Sequence, residues 1–582
     1  MTEELAEAAS AAARTVAIDV ELRQLHARIA VLTAERNSIS IVQRMPNEIF
    51  ARIFSFVPGL PCDNGVMFVC RRWHTLCIGA SELWTHIDLE KWRPKLLLTA
   101  LERSRTRKLC IELKAVTGQN TEQHLRTMLA QSARILDLKI SGPKTTIETF
   151  LKLIQPAELS VLTRFFVEQK EVNGPLKMLH RDYHSPEPED SEPVFSLERM
   201  AALRHLSLSK VTFHPQLKRV FSQPATTLLT CLEIKSAWLS VEAVLPLLTS
   251  SPGLQTLRLD GAFGLDFIQP GNATVYPSVD LPLLESFEIG ARTYTVANLL
   301  VALHFPGTTR LSICLKGGGT PGIDPTTEII NSVIPPLVAH ATLQAASSTA
   351  RTLILQTYRH PNATYFLDQL SLTILAEDET QLISLVMDEP AWNHSSRIIE
   401  SFFRSLAPVQ LSTITHLHVA GASVNVKTWK ALFSGPANII PAQSLETVTI
   451  RADEQGRRVV QALTQRKRFD ALASLIVDIP LKRKTSLSNV MEAVEDFAHA
   501  YRKIFNAKFE RVKVRLHIAA PGAGGDSDSD SEWDNGDSEN GKDVKDWRGV
   551  KAVVKVFDWE EVRVQGPNAR NWEDSDAEDF DI

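Results

Sequence analysis

"LRHLSLS" occupies residues 203–209 and sets Leu203, Leu206 and Leu208 in the frame L-x-x-L-x-L. The frame returns as "LTCLEIK" at 229–235, "LQTLRLD" at 254–260 and "LESFEIG" at 284–290. In a chain that is 44% apolar, three such positions match by chance about once in twelve starts, so a single hit carries no weight. The spacing does carry weight. Leu206, Leu232, Leu257, Phe287 and Leu311 stand 26, 25, 30 and 24 residues apart. Between them lie stretches of helical character, "LSVEAVLPLLTSS" before the third frame and "YTVANLLVALHF" before Leu311.

Alternation of strand and helix at this period predicts a parallel sheet with helices on one side. Substituted frames extend it in both directions: "TRKLCIEL", "ARILDLKI", "RTLILQ", "ITHLHVAG", "LETVTI", "LASLIVDI" and "FERVKVRL". The period resembles that of leucine-rich repeats. The Asn ladder of regular repeats is missing, so the resemblance is to degenerate ones. Register is lost between about 315 and 414, where "YFLDQLSLTIL" and "QLISLVM" compete for the strand. Arg204, His205, Glu233, Lys235, Arg258, Glu285 and Glu288 alternate with the apolar frame and would project from the sheet. A long mixed-charge surface of that kind suits protein recognition better than a small-molecule pocket.

The first 90 residues follow another rhythm. "DVELRQLHARIAVLTAERNSI" places Ile18, Leu22, Leu25, Ile29, Leu32 and Ile39 at heptad spacing, interrupted by Arg36, which predicts an amphipathic helix. A coiled-coil dimer and a helix packed back on its own chain are the two readings of that stripe. The dimer would be weak, because three heptads with a charged core position are marginal. Next, "MPNEIFARIFSFV" at 45–57 puts Pro46 at a first helical position and Glu48 in the first turn. Ile49, Phe50, Ile53, Phe54 and Val57 then form one apolar face. After "PGLPCDNG", a second helix would carry Val66, Val69, Cys70, Trp73 and Leu76 on one side, with Arg71 and Arg72 pointing elsewhere. Ser81 would cap a short turn, "SELW", and "THIDL" would leave as a strand. So short a unit cannot bury that many large apolar side chains.

The order "MPNEIFARIFSFV…VCRRWHTL…ELWTHIDL" resembles the F-box motif, with Met45 where Leu is usual. Together with the preceding helix, it looks like the large F-box families of mushroom-forming fungi. The resemblance implies docking on a Skp-type adaptor and, through it, on a cullin. Met45, Pro46, Ile49, Ile53, Phe54, Val69, Cys70, Trp73, Leu83 and Trp84 are the implied contacts. Trp73, Cys70 and Ile49 could equally serve the domain's own core. The expected fold is α/β: a small all-α three-helix F-box followed by an irregular leucine-rich-repeat horseshoe with a parallel sheet. The expected division is an N-terminal helix at 1–39, an F-box at 40–90, repeats at 95–520, an acidic disordered segment at 521–549, and a terminal strand pair with an acidic tail at 550–582.

Charge and motifs narrow the function further. The net charge is −5, while Pro521–Ile582 holds 18 acidic and 7 basic residues, a net of −11 that leaves +6 on the rest. That body is too weakly basic for nucleic-acid binding, and "LKRKTS" at 481–486 is too short to change this. No apolar run is long enough to span a membrane, and the acidic, Ala-rich start is unlike a secretory signal. A soluble, intracellular protein with buried thiols is expected, which empties the sequons at Asn272, Asn362 and Asn393 of meaning. The six cysteines form no C-x-x-C pair, and "LKGGGTPG" at 315–322 lacks the lysine of a phosphate loop. H-E-x-x-H and G-x-S-x-G are absent. The pair His416 and His418 fits a strand face better than a metal. No cofactor, metal or catalytic residue is expected. Ser527, Ser529 and Ser531, each followed by an acidic residue three positions on, suit an acidophilic kinase.

Overall fold

The computed structural model of the chain describes residues 2–39, 41–56, 65–89, 94–114, 121–154, 157–170, 197–211, 228–235, 241–261, 276–316, 329–339, 348–359 and 368–388. From 398 to 565 it describes short segments around individual strands and helices. The acidic stretch 521–549, its three serines, the glycine loop after Lys316 and the three sequons lie outside the described residues. The chain divides into two compact units, Met1–Gly142 and Pro143–Ile582. The first unit therefore reaches well past the boundary near 95 expected from sequence. No helix among the described residues is long and apolar enough to cross a membrane.

The first unit opens with helix α1 (Thr2–Ile39) and a single turn, α2 (Ile41–Arg44). Helices α3 (Asn47–Ser55) and α4 (Arg71–Gly79) follow, then a 3₁₀ turn at Ser81–Trp84. Strand β1 (His86–Asp88), α5 (Pro94–Arg103), β2 (Leu109–Leu113), α6 (Thr121–Leu129) and β3 (Ile135–Gly142) complete it. The three strands pair parallel, with Ile87, Ile111 and Leu138 in one row. That row is fully buried. The strand–helix rhythm thus begins with "THIDL", directly after the N-terminal helices.

Next to the apolar row, Asp88, Glu112 and Lys139 are cross-strand neighbours. Lys139 bonds Glu112 at 2.9 Å, and Lys114 reaches both Glu112 (3.1 Å) and Asp88 (3.3 Å). Burial pulls the Glu112 carboxyl upward, yet the two lysines outweigh it and hold the pKa below the usual carboxylate value. A depressed folded-state pKa adds stability that is complete above the unfolded value, near 4.5, and is lost as pH falls through the folded one. Thermal unfolding of Glu112→Gln is therefore expected to fall below wild type at neutral pH and converge with it in acid. The gap should be modest, since the side chain is 31% exposed.

The second unit begins with α7 (Lys144–Ile154), which packs on β4 (Arg164–Gln169). Then come β5 (His205–Ser209), β6 (Cys231–Lys235), β7 (Thr256–Asp260), β8 (Val279–Asp280), β9 (Ser286–Ala291), β10 (Leu303–His304) and β11 (Arg310–Leu315). Strands β4, β5, β6, β7, β9 and β11 pair parallel in that order. Strands β8 and β10 form a separate parallel pair. Leu206, Leu232, Leu257, Phe287 and Leu311 stand in register and are buried, as are Leu208, Ile234, Leu259, Ile289 and Ile313 beside them. The helix Thr293–Ala302, buried over most of its length, packs on β9 and β11.

One hydrogen-bond pattern recurs where the strands begin. The carbonyl of Arg204 accepts from the amides of Thr230 and Cys231; that of Thr230 accepts from Gln255 and Thr256; that of Gln255 from Glu285 and Ser286. Each strand thereby seats the next one.

The run then reverses. Strands β12 (Thr352–Arg359), β13 (Asp368–Leu375) and β14 (Gln381–Asp388) form an antiparallel meander. It is β14, not β12, that lies parallel beside β11. Strand β12 instead pairs parallel with β15 (His416–Ala420). The spatial order is β11-β14-β13-β12-β15, so both competing segments of the 315–414 region become strands. The parallel run resumes through β16 (Thr447–Arg451), β17 (Ser474–Pro480), β18 (Lys513–Ala519) and β19 (Glu561–Gln565). The seating pattern resumes with it, from Arg351 to Thr415 and His416, and from Thr415 to Glu446 and Thr447. Of the terminal region expected to hold a strand pair, β19 is the strand described.

Candidate functional site

The helices after Ile41 hold a compact aromatic core. Pro46 stands one residue before α3 as its N-cap, a position earlier than expected, and Phe50 N–H donates to its carbonyl at 3.2 Å. A 3₁₀ turn at Val66–Phe68 precedes α4, but the two do not join into one helix. Cys70 is extended (φ −160°, ψ 165°), and its Sγ accepts from Trp73 N–H at 3.5 Å, so Cys70 caps α4 instead of lying within it. Phe50, Phe54 and Trp73 meet in a triangle with ring centroids 5.0–5.6 Å apart. Trp84 is 1% exposed, donates its indole N–H to the Cys77 carbonyl at 2.7 Å, and lies under the Arg103 guanidinium at 4.5 Å. Ser81 does not cap its turn; its hydroxyl accepts from Arg107 Nε, whose guanidinium also pairs with Glu82.

Arg72, expected to point away, fastens α4 to the start of α3. Its guanidinium lies 5.1 Å from the Phe50 ring centroid, donates to Asn47 Oδ1 at 2.9 and 3.1 Å, and donates to the Met45 carbonyl. Arg72→Ala should therefore destabilise the first unit by about 1–3 kcal/mol, the range for charge-assisted bonds and an orphaned partner. Chemical denaturation of the full chain would measure it, and an unchanged first transition would contradict this role.

The ten residues implied as contacts divide by exposure. Phe54, Leu83 and Trp84 are buried in this chain's own core. Met45, Cys70 and Trp73 are half-buried, and Pro46 is exposed. Ile49 (48%), Ile53 (45%) and Val69 (60%) are exposed. Two further residues join the exposed set. Phe56 (74%) follows Ile49 and Ile53 at i+7 and i+3, and Phe68 (83%) precedes Val69. The helical period could have found Phe56; Phe68 carries no periodic signal. Helix α3 thus has two apolar faces, an inner one of Phe50, Ala51 and Phe54 and an outer one of Ile49, Ile53 and Phe56. The groove between α3 and α4 is open and is lined by Asn47, Glu48, Ala51, Arg71, Leu76 and Glu82.

The sheet faces supply a second surface. In the second unit Glu233 pairs with Arg258 at 2.9 Å and Arg258 with Glu288 at 3.2 Å, all three in cross-strand register. Lys316 pairs with Asp260 at 2.6 Å. Register also gathers His205, Cys231 and Glu233, whose ligand atoms lie within 4.8 Å of one another, a grouping that local spacing could not reveal. Chemistry argues against a metal there. Glu233 is already held by Arg258 and Lys235, and burial, with Glu233 beside it, pushes the Cys231 thiol up to about 11. Of the six cysteines, five are described as free thiols, and among them Cys77 is fully buried while four are half-buried.

The family model of the F-box-like domain matches residues 42–90, the span that contains α3, α4 and the Trp84 turn. Domains of this kind typically bind Skp-type adaptors of ubiquitin ligases. No curated protein matches the chain. The molecule therefore carries an F-box-like domain near its N-terminus and a large, mainly parallel sheet with helices beyond it.

Proposed function

We propose that this protein is a substrate-receptor subunit of a Skp–cullin–F-box ubiquitin ligase. The F-box-like domain would hold the adaptor, and the sheet of the second unit, read as a degenerate leucine-rich-repeat solenoid, would hold the target protein. One observation carries the reading. Ile49, Ile53 and Phe56 lie exposed on a helix whose opposite face is already filled. Apolar side chains aligned along one helix and left open to water mark a docking surface. The mixed-charge rows beside the apolar columns support a protein as the target. In this role the chain needs no catalytic residue, because it accelerates transfer by holding the target near another subunit's ubiquitin-loaded enzyme.

The test is co-purification of the full chain with a recombinant Skp-type adaptor and cullin, followed by turnover of whatever the second unit captures. Failure to bind the adaptor would overturn the reading. Binding with partner turnover unchanged on deletion of residues 42–90 would instead identify a scaffold that does not deliver ubiquitin. An enzyme within the 315–414 segment is not favoured, since most of its described part supplies strands of the sheet, with a helical stretch at 329–339.

A further inference from the structure

Side chains throughout residues 10–36 of helix α1 are exposed, including Ile18, Leu22, Leu25, Ile29 and Leu32. Packing back on the described part of the chain is not what this stripe does. In the heptad frame these apolar residues occupy the seam, with Thr15 and Ala11 continuing it toward the N-terminus and Arg36 toward the C-terminus. One flank of the seam carries Arg14, Glu21, Arg28 and Glu35, seven residues apart and alternating in sign.

We infer that α1 pairs with α1 of a second copy of this chain as an antiparallel coiled coil in a single register. Symmetry selects this arrangement. Reversing the order plus-minus-plus-minus gives minus-plus-minus-plus, so a two-fold axis near the middle sets every positive charge opposite a negative one. Arg14 faces Glu35 of the second copy and Glu21 faces Arg28, each pair occurring twice. The seam layers are then Leu22 against Leu25, Ile18 against Ile29, Thr15 against Leu32 and Ala11 against Arg36. Small Ala11 leaves room for the long Arg36 side chain to reach water. On the other flank Asp19 faces His26.

Alternative pairings are penalised. Sliding one heptad in one direction sets Arg28 against Arg28 and Glu21 against Glu35. Sliding the other way sets Glu21 against Glu21 and Arg14 against Arg28. A parallel dimer would stack Arg36 on Arg36 inside the seam, two like charges leaving water without a counter-ion. It would pair Arg14 with Asp19 and Glu21 with His26 but leave Arg28 and Glu35 facing Thr33 and Ser40, whereas the antiparallel register gives all four residues of that flank an opposite charge. The sequence thus disfavours three competing states of the pair. Residues 11–36 would overlap along about 39 Å, at roughly 1.5 Å per residue.

Sedimentation equilibrium of the full chain tests the inference. Wild type is expected as a dimer, with Leu25→Asp raising the half-dissociation concentration by at least about tenfold, since it sets two carboxylates in the seam. Glu21→Arg and Arg28→Glu should each weaken the dimer, and the two combined should restore it. That paired swap keeps every seam residue, so it reports orientation even where Leu25→Asp disturbs the helix. Orientation is read again by oxidation, over the background of the native thiols. A mixture of Ile18→Cys and Ile29→Cys chains should cross-link to each other, whereas Ile18→Cys alone should not cross-link to itself. A monomeric wild type over the attainable concentration range, a dimer indifferent to Leu25→Asp, or self-cross-linking of Ile18→Cys would overturn the proposal.

Discussion

Ile53→Asp is expected to weaken capture of a Skp-type adaptor severely while leaving the unfolding of the chain unchanged. Ile53 is 45% exposed and contributes to the outer face of α3, so its replacement removes little from the chain's own core. In a complex it would forfeit about 0.7–1.4 kcal/mol of apolar burial, the share of a full side chain's worth that is still exposed. The new carboxylate would also lose its water, so a fall in affinity of roughly a hundredfold or more follows. Ile49→Asp, one turn away on the same face, should behave alike, and the two combined should leave no measurable binding. Titration of the adaptor against wild-type and variant chains, with near-ultraviolet circular dichroism as the control for folding, decides it. Equal affinity for all of them would show that the outer face of α3 is not the docking surface.

Trp84→Ala should fail differently. Its indole is sealed, hydrogen-bonded to the Cys77 carbonyl and covered by Arg103. Truncation leaves a cavity and an unpartnered carbonyl together, so the first unit should lose about 3–5 kcal/mol. Adaptor binding would then disappear with the fold, and limited proteolysis would cut within residues 65–114 before any partner is added. A Trp84→Ala chain that melts like wild type yet does not bind would reassign Trp84 to direct contact. The two substitutions thus separate a surface from the core that presents it, a distinction that motif matching alone cannot make.

Why the motif cannot make it is visible in "EIFARIFSF". Ile49, Ile53 and Phe56 follow helical spacing, and so do Phe50 and Phe54 one position on. Periodicity reports that both faces are apolar and is silent on which one the chain covers. The strands were more legible. Each L-x-x-L-x-L frame quoted from the sequence forms a strand, because two buried columns impose a period that loops do not share. Direction was not legible. A two-residue alternation looks the same whichever way a strand runs, so nothing in "DQLSLTIL" announces that β13 runs against its neighbours. Its turn into β14 hides as well. Glu379 takes φ +62° where a glycine would have flagged the bend, and Asp378 Oδ1 steadies it by accepting from Thr380 N–H at 3.0 Å. The linkage of α4 to α3 through Arg72 joins residues 25 apart, which no local pattern encodes.

The backward meander has a consequence for assembly on the ribosome. Were every strand seated on its immediate predecessor, the second unit could grow outward like a zipper, each new edge closed by the next segment to emerge. At β11 that sequence of events stops. Its neighbour β14 begins at Gln381, 66 residues after β11 ends at Leu315, and two other strands are synthesised in between. Until then the nascent chain presents an open row of amides and carbonyls to any other polypeptide nearby. Strand β12 waits in the same way for β15, which begins at His416, 57 residues after β12 ends at Arg359, so elongation pausing or chaperone demand should concentrate across the meander.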